Sequence, residues 1–225
     1  MLQLDLRGPA GRIEALLEEV VEARFAALVC HPHPRFGGTM HNHATYRLAR
    51  AVRAAGGTTL RFNYRGVGRS AGRYAGGVGE ADDARVALSR LRELAPGLPI
   101  VASGFSFGAW IAVELAGEPG VWGLVLAGLA LRTAELGTLR QPERVRAVAA
   151  PLAVVQAEGD QFGSPEEVRE ALAGSVGPRR LSTVARATHL FSEDLAGLER
   201  EAGAALAWVF ALTGLSPSAG QGDTP

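Results

Sequence analysis

A serine between two glycines has the clearest chemical potential in this chain. Ser106 stands in the segment from Gly104 to Gly108, GFSFG, which fits the pattern Gly-x-Ser-x-Gly. Such a turn exposes a serine hydroxyl as a nucleophile, and glycine is needed because the chain passes very close to itself there. With 29 glycines in the chain the pattern alone is weakly specific, and an ordinary glycine-rich turn is the alternative. Its context is more specific, because the apolar run Pro99–Ser103 enters the turn and the apolar stretch Phe107–Leu115 leaves it.

A serine nucleophile needs a base, and His189 is the candidate. A serine hydroxyl reacts poorly near neutral pH unless an imidazole removes its proton, and on a strand–turn–helix serine the base follows in the chain. Of the five histidines only His189 comes after Ser106. It lies between a predicted strand and the last predicted helix, so we expect it to act as general base.

The acid that orients such a base is expected after the predicted strand Pro151–Gln156. Asp160 follows a glycine there, and Glu158 is the nearest competitor. Asp194 is better explained as an acidic residue at the start of the last helix, where it complements the helix dipole. The preferred acid is Asp160, which completes a predicted triad of Ser106, Asp160 and His189.

Hydrolysis through a tetrahedral intermediate also needs two backbone N–H donors for the oxyanion. The first donor is expected from Phe107, the residue after the nucleophile. The second should come from the loop HPHPRFGG, which follows the predicted strand Phe25–Cys30. The two prolines have no N–H, which leaves His33, Arg35 or Phe36. His33 is favoured by its position in the turn.

Composition excludes several other classes of function. The 23 Lys+Arg residues, all of them arginine, balance the 23 Asp+Glu residues, so neither nucleic acid nor an anionic membrane is expected as a partner. Schiff-base enzymes, PLP enzymes and Walker-type phosphate loops need a lysine, so no such cofactor is expected. The single cysteine, Cys30, cannot form an internal disulfide, and neither a secretory signal nor a membrane span is recognisable. We therefore expect a cytoplasmic protein.

The residues named so far need a scaffold, and the chain predicts a doubly wound, mostly parallel α/β sheet. The turn Arg7–Ala10 between Leu2–Leu6 and Gly11–Glu18 predicts an antiparallel hairpin at the start. Apolar runs then alternate with segments of helical spacing. The predicted strands are Phe25–Cys30, Thr58–Phe62, Pro99–Ser103, Val121–Leu129, Pro151–Gln156 and Arg180–Val184. The predicted helices are His43–Ala54, Glu80–Leu94, Phe107–Leu115, Pro165–Ala173 and Asp194–Leu212.

One domain accounts for this pattern, over residues 1–212. The stretch Leu131–Arg146 is partly helical and too short for a separate cap domain. Residues 213–225 are rich in Ser, Gly and Pro and are predicted to form a disordered tail.

Three sequence blocks in order are more specific than any one of them. They are HPHPRFGGTM at 31–40, RFNYRGVGRS at 61–70 and GFSFG at 104–108. Together they resemble a bacterial family of small α/β-hydrolases related to the dienelactone hydrolases, and the resemblance extends to about residue 212. It implies an α/β-hydrolase fold, the triad Ser106–Asp160–His189, and an HPHP loop that shapes the oxyanion side. The family has His-Phe-Phe near the base, whereas this chain has His189-Leu190-Phe191, which leaves the base in place.

Two other interpretations fit parts of the sequence. Four histidines, His31, His33, His41 and His43, lie within thirteen residues and could suggest zinc. No metal is expected, because the resemblance assigns His31 and His33 to loop shaping. A non-catalytic scaffold that acts as a binding module is the second-ranked function. The preferred function is hydrolysis of carboxylic esters or thioesters of small soluble substrates through an acyl-enzyme; the sequence leaves the oligomeric state open.

Overall fold

The structure is a computed structural model and describes residues 1–132 and 142–214. The described residues form eight strands and six α-helices: three strands come first, and helices and strands then alternate, with a short 3-10 helix at Pro34–Phe36. The strands are β1 (Leu2–Gly8), β2 (Gly11–Glu18), β3 (Phe25–Cys30), β4 (Gly57–Phe62), β5 (Ile100–Phe105), β6 (Val121–Ala127), β7 (Leu152–Ala157) and β8 (Arg179–Val184). The helices are α1 (His43–Ala54), α2 (Val78–Leu94), α3 (Phe107–Glu114), α4 (Pro142–Ala147), α5 (Pro165–Leu172) and α6 (Leu195–Thr213).

All eight strands form one sheet in the order β1-β2-β4-β3-β5-β6-β7-β8. β2 is antiparallel to both of its neighbours, whereas β4, β3 and β5 to β8 are parallel to one another. The parallel strands therefore end at one edge, and the loops after β3, β5, β7 and β8 meet there. The predicted α/β-hydrolase fold with an N-terminal antiparallel hairpin is confirmed.

Two apolar layers cover the two faces of this sheet. On one face the sheet packs against α2, α3 and α5, and on the other against α1 and α6. β3, β4, β5 and β7 are buried over their full length. The near-continuous apolar sequences of β3, β5 and β7 follow from this burial, because neither face of a central parallel strand meets water.

Element boundaries differ from the sequence predictions by about two residues. β5 extends to Phe105 instead of Ser103, so the strand runs directly into the serine turn. α2 begins at Val78, and Glu80 accepts hydrogen bonds from the N–H groups of Ala75 and Gly77, which fixes the start of the helix. Such end shifts depend on capping contacts that periodicity does not encode.

The predicted stretch Leu131–Arg146 and the predicted tail fall only partly within the described residues. α4 covers Pro142–Ala147, and residues 133–141 lie outside the described ranges. α6 ends at Thr213, with Gly214 as its left-handed C-cap, and residues 215–225 are likewise outside. Among the described residues, every helix falls short of the combined length and apolar content that a membrane span requires.

The last helix is held by an aromatic contact that offers a test of the packing. Phe210 of α6 is 5% exposed, and its ring meets that of Phe25 at 4.5 Å in an edge-on arrangement. Phe210→Ala should lower the free energy of unfolding by about 3 kcal/mol, because it leaves a cavity under the helix. Leu212→Ala, at a position that is 49% exposed, should change it by less than about 0.5 kcal/mol. Equal denaturation midpoints for the two variants would contradict this packing.

Candidate active site

Ser106 occupies a strained turn between β5 and α3. Its φ of 57° and ψ of −115° are unusual for a residue with a side chain. A Cβ added at Gly104 would lie 2.1 Å from the carbonyl oxygen of Gly108, and one added at Gly108 would lie 2.3 Å from that of Cys30. Only glycine fits at these two positions, so the motif follows from close backbone approach on both sides of the serine.

The structure brings the three predicted triad residues together. The Ser106 hydroxyl oxygen lies 2.9 Å from Nε2 of His189, and Nδ1 of His189 lies 2.7 Å from Oδ2 of Asp160. His189 and Asp160 are 4% and 3% exposed, while Ser106 is half-buried and reaches the solvent-filled cleft. A carboxylate only accepts hydrogen bonds, so the imidazole proton is on Nδ1, and Nε2 is left to accept the serine proton.

A buried glutamine that the sequence did not single out orients Asp160. Nε2 of Gln156, at the end of β7, donates to Oδ2 of Asp160 at 2.9 Å and to the carbonyl of Gly163 at 2.7 Å. Its Oε1 accepts the N–H of Leu129 at 2.9 Å. The N–H of Phe162 donates to the other carboxylate oxygen at 2.9 Å. Asp160 is thus held on both oxygens, and one polar residue inside an apolar strand was the only sequence signal.

The two competing carboxylates have other partners. Glu158 is exposed and accepts the N–H of Arg186 at 2.7 Å, which fastens the loop that carries His189. Asp194 is the N-cap of α6 and accepts the N–H of Gly197 at 2.7 Å, as its position at the start of the helix predicts. Of the three carboxylates, the one that lies within hydrogen-bond distance of His189 is that of Asp160.

Aromatic rings fix the plane of the His189 imidazole. Phe162 meets it edge-on with ring centroids 4.7 Å apart, and Phe105 lies 5.2 Å away on another side. Gly128, just after β6, has a φ of 54° and makes room for the rings of Phe105 and His189. A Cβ there would lie 2.8 Å from the Phe105 ring and 3.2 Å from Cε1 of His189. The imidazole therefore has little freedom to swing away from the serine.

The loop after β3 forms the other wall of the site. The N–H of Arg35 donates to Nδ1 of His33, and the N–H of Phe36 donates to the carbonyl of His33. Two of the three predicted oxyanion candidates are therefore engaged within the loop. The ring of His33 packs edge-on against that of Phe107, with centroids 4.8 Å apart, so the two preferred donor residues are neighbours. The amide of Phe107 lies in the first turn of α3, where amides lack an acceptor within the helix.

His31 and His33, the two loop histidines, have both ring nitrogens engaged. Nε2 of His31 accepts the N–H of Tyr64 at 3.2 Å, so its proton is on Nδ1, which donates to the carbonyl of Pro32 at 2.7 Å. In His33, Nδ1 is an acceptor and Nε2 lies 3.1 Å from the Tyr74 hydroxyl. These contacts occupy two of the four histidines that suggested zinc. Within the described ranges no three His, Cys, Asp or Glu side chains are grouped to hold a metal.

Burial makes two titratable groups near the loop chemically inert. It lowers the pKa of His31 to about 3, so this imidazole is neutral at physiological pH. It raises the pKa of the Cys30 thiol to about 12, so Cys30 is not an alternative nucleophile. Both side chains are therefore uncharged near neutral pH.

A cleft of about 510 Å³ opens above Ser106. The described residues that line it carry no formal charge when its histidines are neutral. Most are aromatic or aliphatic, and Phe36 and Leu190 stand 68% and 60% exposed at its rim. The lining residues are Pro32, His33, Phe36, Asn42, Phe105, Ser106, Ala130, Gln161, Phe162, His189 and Leu190.

The depressed pKa of His31 predicts a pH-dependent contribution to stability. An unfolded imidazole takes up a proton near pH 6.5 and the folded one only near pH 3, so the unfolded state binds more protons between these values. The stability from a neutral His31 is complete above pH 6.5 and is lost as the pH falls. The difference in unfolding free energy between the parent and His31→Asn should therefore shrink below pH 6.5 by up to about 1.4 kcal/mol per pH unit. A difference that stays constant from pH 7 to pH 4 in urea titrations would refute this.

Comparison with solved structures places the chain among small α/β-hydrolases. An α/β serine hydrolase homologue from Coxiella burnetii is 30% identical with a TM-score of 0.82, and the match covers 92% of this chain and 97% of that one. A lidless α/β serine hydrolase from Xanthomonas campestris is 28% identical with a TM-score of 0.80, over 92% and 94% of the two chains. A putative α/β-hydrolase from Agrobacterium tumefaciens is 30% identical with a TM-score of 0.79, over 95% and 97%.

Comparison with curated sequences gives a match to only part of the chain. An uncharacterised protein of Rickettsia prowazekii is 43% identical over 117 residues, which is 51% of this chain and 49% of that protein. The match thus spans about half the length of this curated relative. No protein-family profile matches the chain. At 30% identity over nearly the full length of two solved α/β-hydrolase structures, the chain belongs to the α/β-hydrolase family.

Proposed function

We propose that this protein is a serine hydrolase that cleaves carboxylic esters or thioesters of small substrates through an acyl-enzyme. The observation that carries the proposal is the hydrogen-bonded chain from Ser106 through His189 to Asp160, at 2.9 and 2.7 Å. A surface serine needs neither a buried imidazole at this distance nor a buried carboxylate behind it. The strained backbone at Ser106 also favours a functional role.

The reaction uses these groups in two halves. The Ser106 oxygen attacks the ester carbonyl while Nε2 of His189 takes its proton, and the imidazolium then gives that proton to the departing alcohol or thiol. Water enters, loses a proton to Nε2 and attacks the acyl-enzyme; collapse releases the acid and returns the proton to Ser106. Asp160 remains ionised throughout, holds Nδ1–H and stabilises the imidazolium. The amides of Phe107 and His33 stabilise the oxyanion in both halves.

The cleft favours uncharged acyl groups. Phe105, Phe162 and Leu190 bound it on the side of His189, and the described lining offers no guanidinium to a substrate carboxylate. A carboxylate moved from water into such a cleft loses hydration without gaining a partner. The preferred substrates are therefore esters with small neutral acyl groups, whereas an anionic acyl group would be bound poorly.

Three finer assignments rest on sequence alone. The three sequence blocks support membership of the subset related to the dienelactone hydrolases. The single buried cysteine, Cys30, suits the reducing cytoplasm. The expected partner is a small acyl substrate, with no nucleic acid or membrane partner.

The nucleophile is tested with an activity-based probe. A fluorophosphonate should label the parent at Ser106, and Ser106→Ala and His189→Ala should abolish labelling and reduce kcat on nitrophenyl butyrate by roughly 10⁴-fold or more. Ser89→Ala, at an exposed serine of α2, is the matched control. It should retain both the labelling and the kcat of the parent. If the parent is not labelled by the probe and has the same kcat as Ser106→Ala, the non-catalytic binding scaffold is favoured.

The charge preference is tested with two esters of one leaving group. The parent should hydrolyse nitrophenyl butyrate with a kcat/KM at least about 30-fold higher than that for the nitrophenyl hemiester of succinic acid. That ratio corresponds to about 2 kcal/mol for a partly dehydrated carboxylate. Leu190→Arg, at the exposed rim, should narrow the ratio by supplying a partner charge. Equal efficiency on both esters in the parent would exclude a neutral-acyl preference.

A further inference from the structure

The second sequence block, RFNYRGVGRS, contributes no group to the reacting atoms, yet its first residues contact the loop that carries His33. The His33 loop, residues 31–40, starts at the end of β3 and returns to α1. Its last residue, Met40, is buried, and both of its backbone polar groups bond to side chains of this block. Asn63 Oδ1 accepts the Met40 N–H at 2.8 Å, and Arg61 donates to the Met40 carbonyl at 2.6 Å.

The other end of the loop is held by the same stretch of chain. The N–H of Tyr64 donates to Nε2 of His31, whose Nδ1 in turn donates to the carbonyl of Pro32. Residues 61–64 thus bond to the loop at both its first and last residues. Between these anchors the carbonyl of His33 accepts the N–H of Gly38 at 3.1 Å. Met40 follows Gly38 by two residues, so the anchored end of the loop lies close in the chain to a residue that bonds directly to His33.

The anchoring side chains are themselves held by β2. Arg61 donates to Glu18 at 2.9 Å, and Asn63 donates to Glu14 at 2.8 Å. Residues 61 and 63 are two apart on an extended segment, so their side chains leave the same face of the sheet, towards the loop. A continuous set of hydrogen bonds therefore runs from the antiparallel hairpin through β4 to the loop.

Stability alone gives little reason for a charged residue at position 61. Arg61 is 2% exposed, and its Nε has no hydrogen-bond partner among the described residues. Buried ion pairs such as Arg61–Glu18 can often be replaced by apolar residues without loss of stability. An apolar residue at position 61 would supply neither the ion pair with Glu18, which Arg53 also contacts at 2.6 Å, nor the bond to the Met40 carbonyl. Of these two contacts, the one that reaches the His33 loop is the bond to Met40.

We propose that Arg61 and Asn63 are positioning residues that hold the second oxyanion donor, the amide of His33, in place by fixing the returning end of its loop. The proposal rests on the proposed function, because the position of this amide matters only if an oxyanion forms at Ser106. Neither side chain touches the reacting atoms. Their effect passes through Met40 and the loop to His33, so their loss should weaken binding of the tetrahedral state more than binding of the substrate.

Four variants separate positioning from general stability. Arg61→Met and Asn63→Ala each remove a bond to Met40. Asn63→Asp keeps the acceptor for the Met40 N–H and so retains the loop contact. It loses the donor to Glu14 and places two carboxylates side by side, which should lower the stability of the fold. Arg179→Met is the matched control, because Arg179 also donates to backbone carbonyls, those of Val145, Val148 and Ala150, but at the opposite edge of the sheet.

Two readouts are measured on each variant, with folding checked by thermal melting. Hydrogen–deuterium exchange of the 31–40 peptide should be faster in Arg61→Met and Asn63→Ala and unchanged in Asn63→Asp and Arg179→Met. In Arg61→Met and Asn63→Ala, kcat on nitrophenyl butyrate should fall about tenfold, with KM changed less than about threefold. This loss is smaller than the roughly 10²–10³-fold loss of kcat that follows complete removal of an oxyanion donor. Affinity for an alkylboronic acid, which forms a tetrahedral serine adduct, should fall by the same factor.

Each failure has a distinct signature. Unchanged exchange of the loop in Asn63→Ala would overturn the proposal whatever the activity. Faster exchange with unchanged kcat and boronate affinity would also overturn it. A loss of kcat in Asn63→Asp equal to that in Asn63→Ala, or a comparable loss in Arg179→Met, would assign the effect to stability. If the parent itself is inactive, does not label at Ser106 and does not bind the boronate, the proposed function fails, and the positioning role fails with it.

Discussion

The close approach of three backbone segments around Ser106 is the constraint on which the rest of the site depends. The serine turn packs between its own helix start and the end of β3, with so little space that Cβ atoms at Gly104 and Gly108 would overlap backbone carbonyls. This packing forces Ser106 into a positive φ and turns its hydroxyl out of the sheet towards His189. It also brings the start of the loop after β3 against the first turn of α3, where the amide of Phe107 is located. One steric condition thereby sets Ser106 beside His189 and beside the proposed oxyanion donors.

Around that turn the polar groups form two separate networks. One runs from Gln156 through Asp160 to His189 and fixes the orientation of this imidazole. The other runs from the carboxylates of β2 through Arg61 and Asn63 to Met40 and fixes the loop that bears His33. Because both networks are buried, each hydrogen bond is stronger than it would be in water and each unpaired group is more costly. Hydrogen bonds thus hold the site from two sides, and groups held in place in advance stabilise developing charge with little reorganisation.

The sequence alone was sufficient for the fold and for the three side chains that meet at the sheet edge. Ser106, Asp160 and His189 each follow a recognisable strand, and parallel strands bring such positions to one edge whatever the details of packing. Gln156 could not be identified, because its three hydrogen bonds depend on where the loops after β6 and β7 lie. The pairing of Arg61 and Asn63 with Met40 was equally hidden, since it joins residues more than twenty apart through side-chain geometry. Local pattern predicts where chain segments end, whereas contacts between loops require coordinates.

A crystal structure of the protein with a phosphonate bound to Ser106 would test the central claim most directly. Convergence of the triad and the two amides predicts a phosphonyl oxygen within about 3 Å of the N–H groups of both Phe107 and His33. It also predicts that His189 remains hydrogen-bonded to Asp160. An adduct whose oxygen faces solvent, or a His189 ring out of reach of both Ser106 and Asp160, would contradict the account.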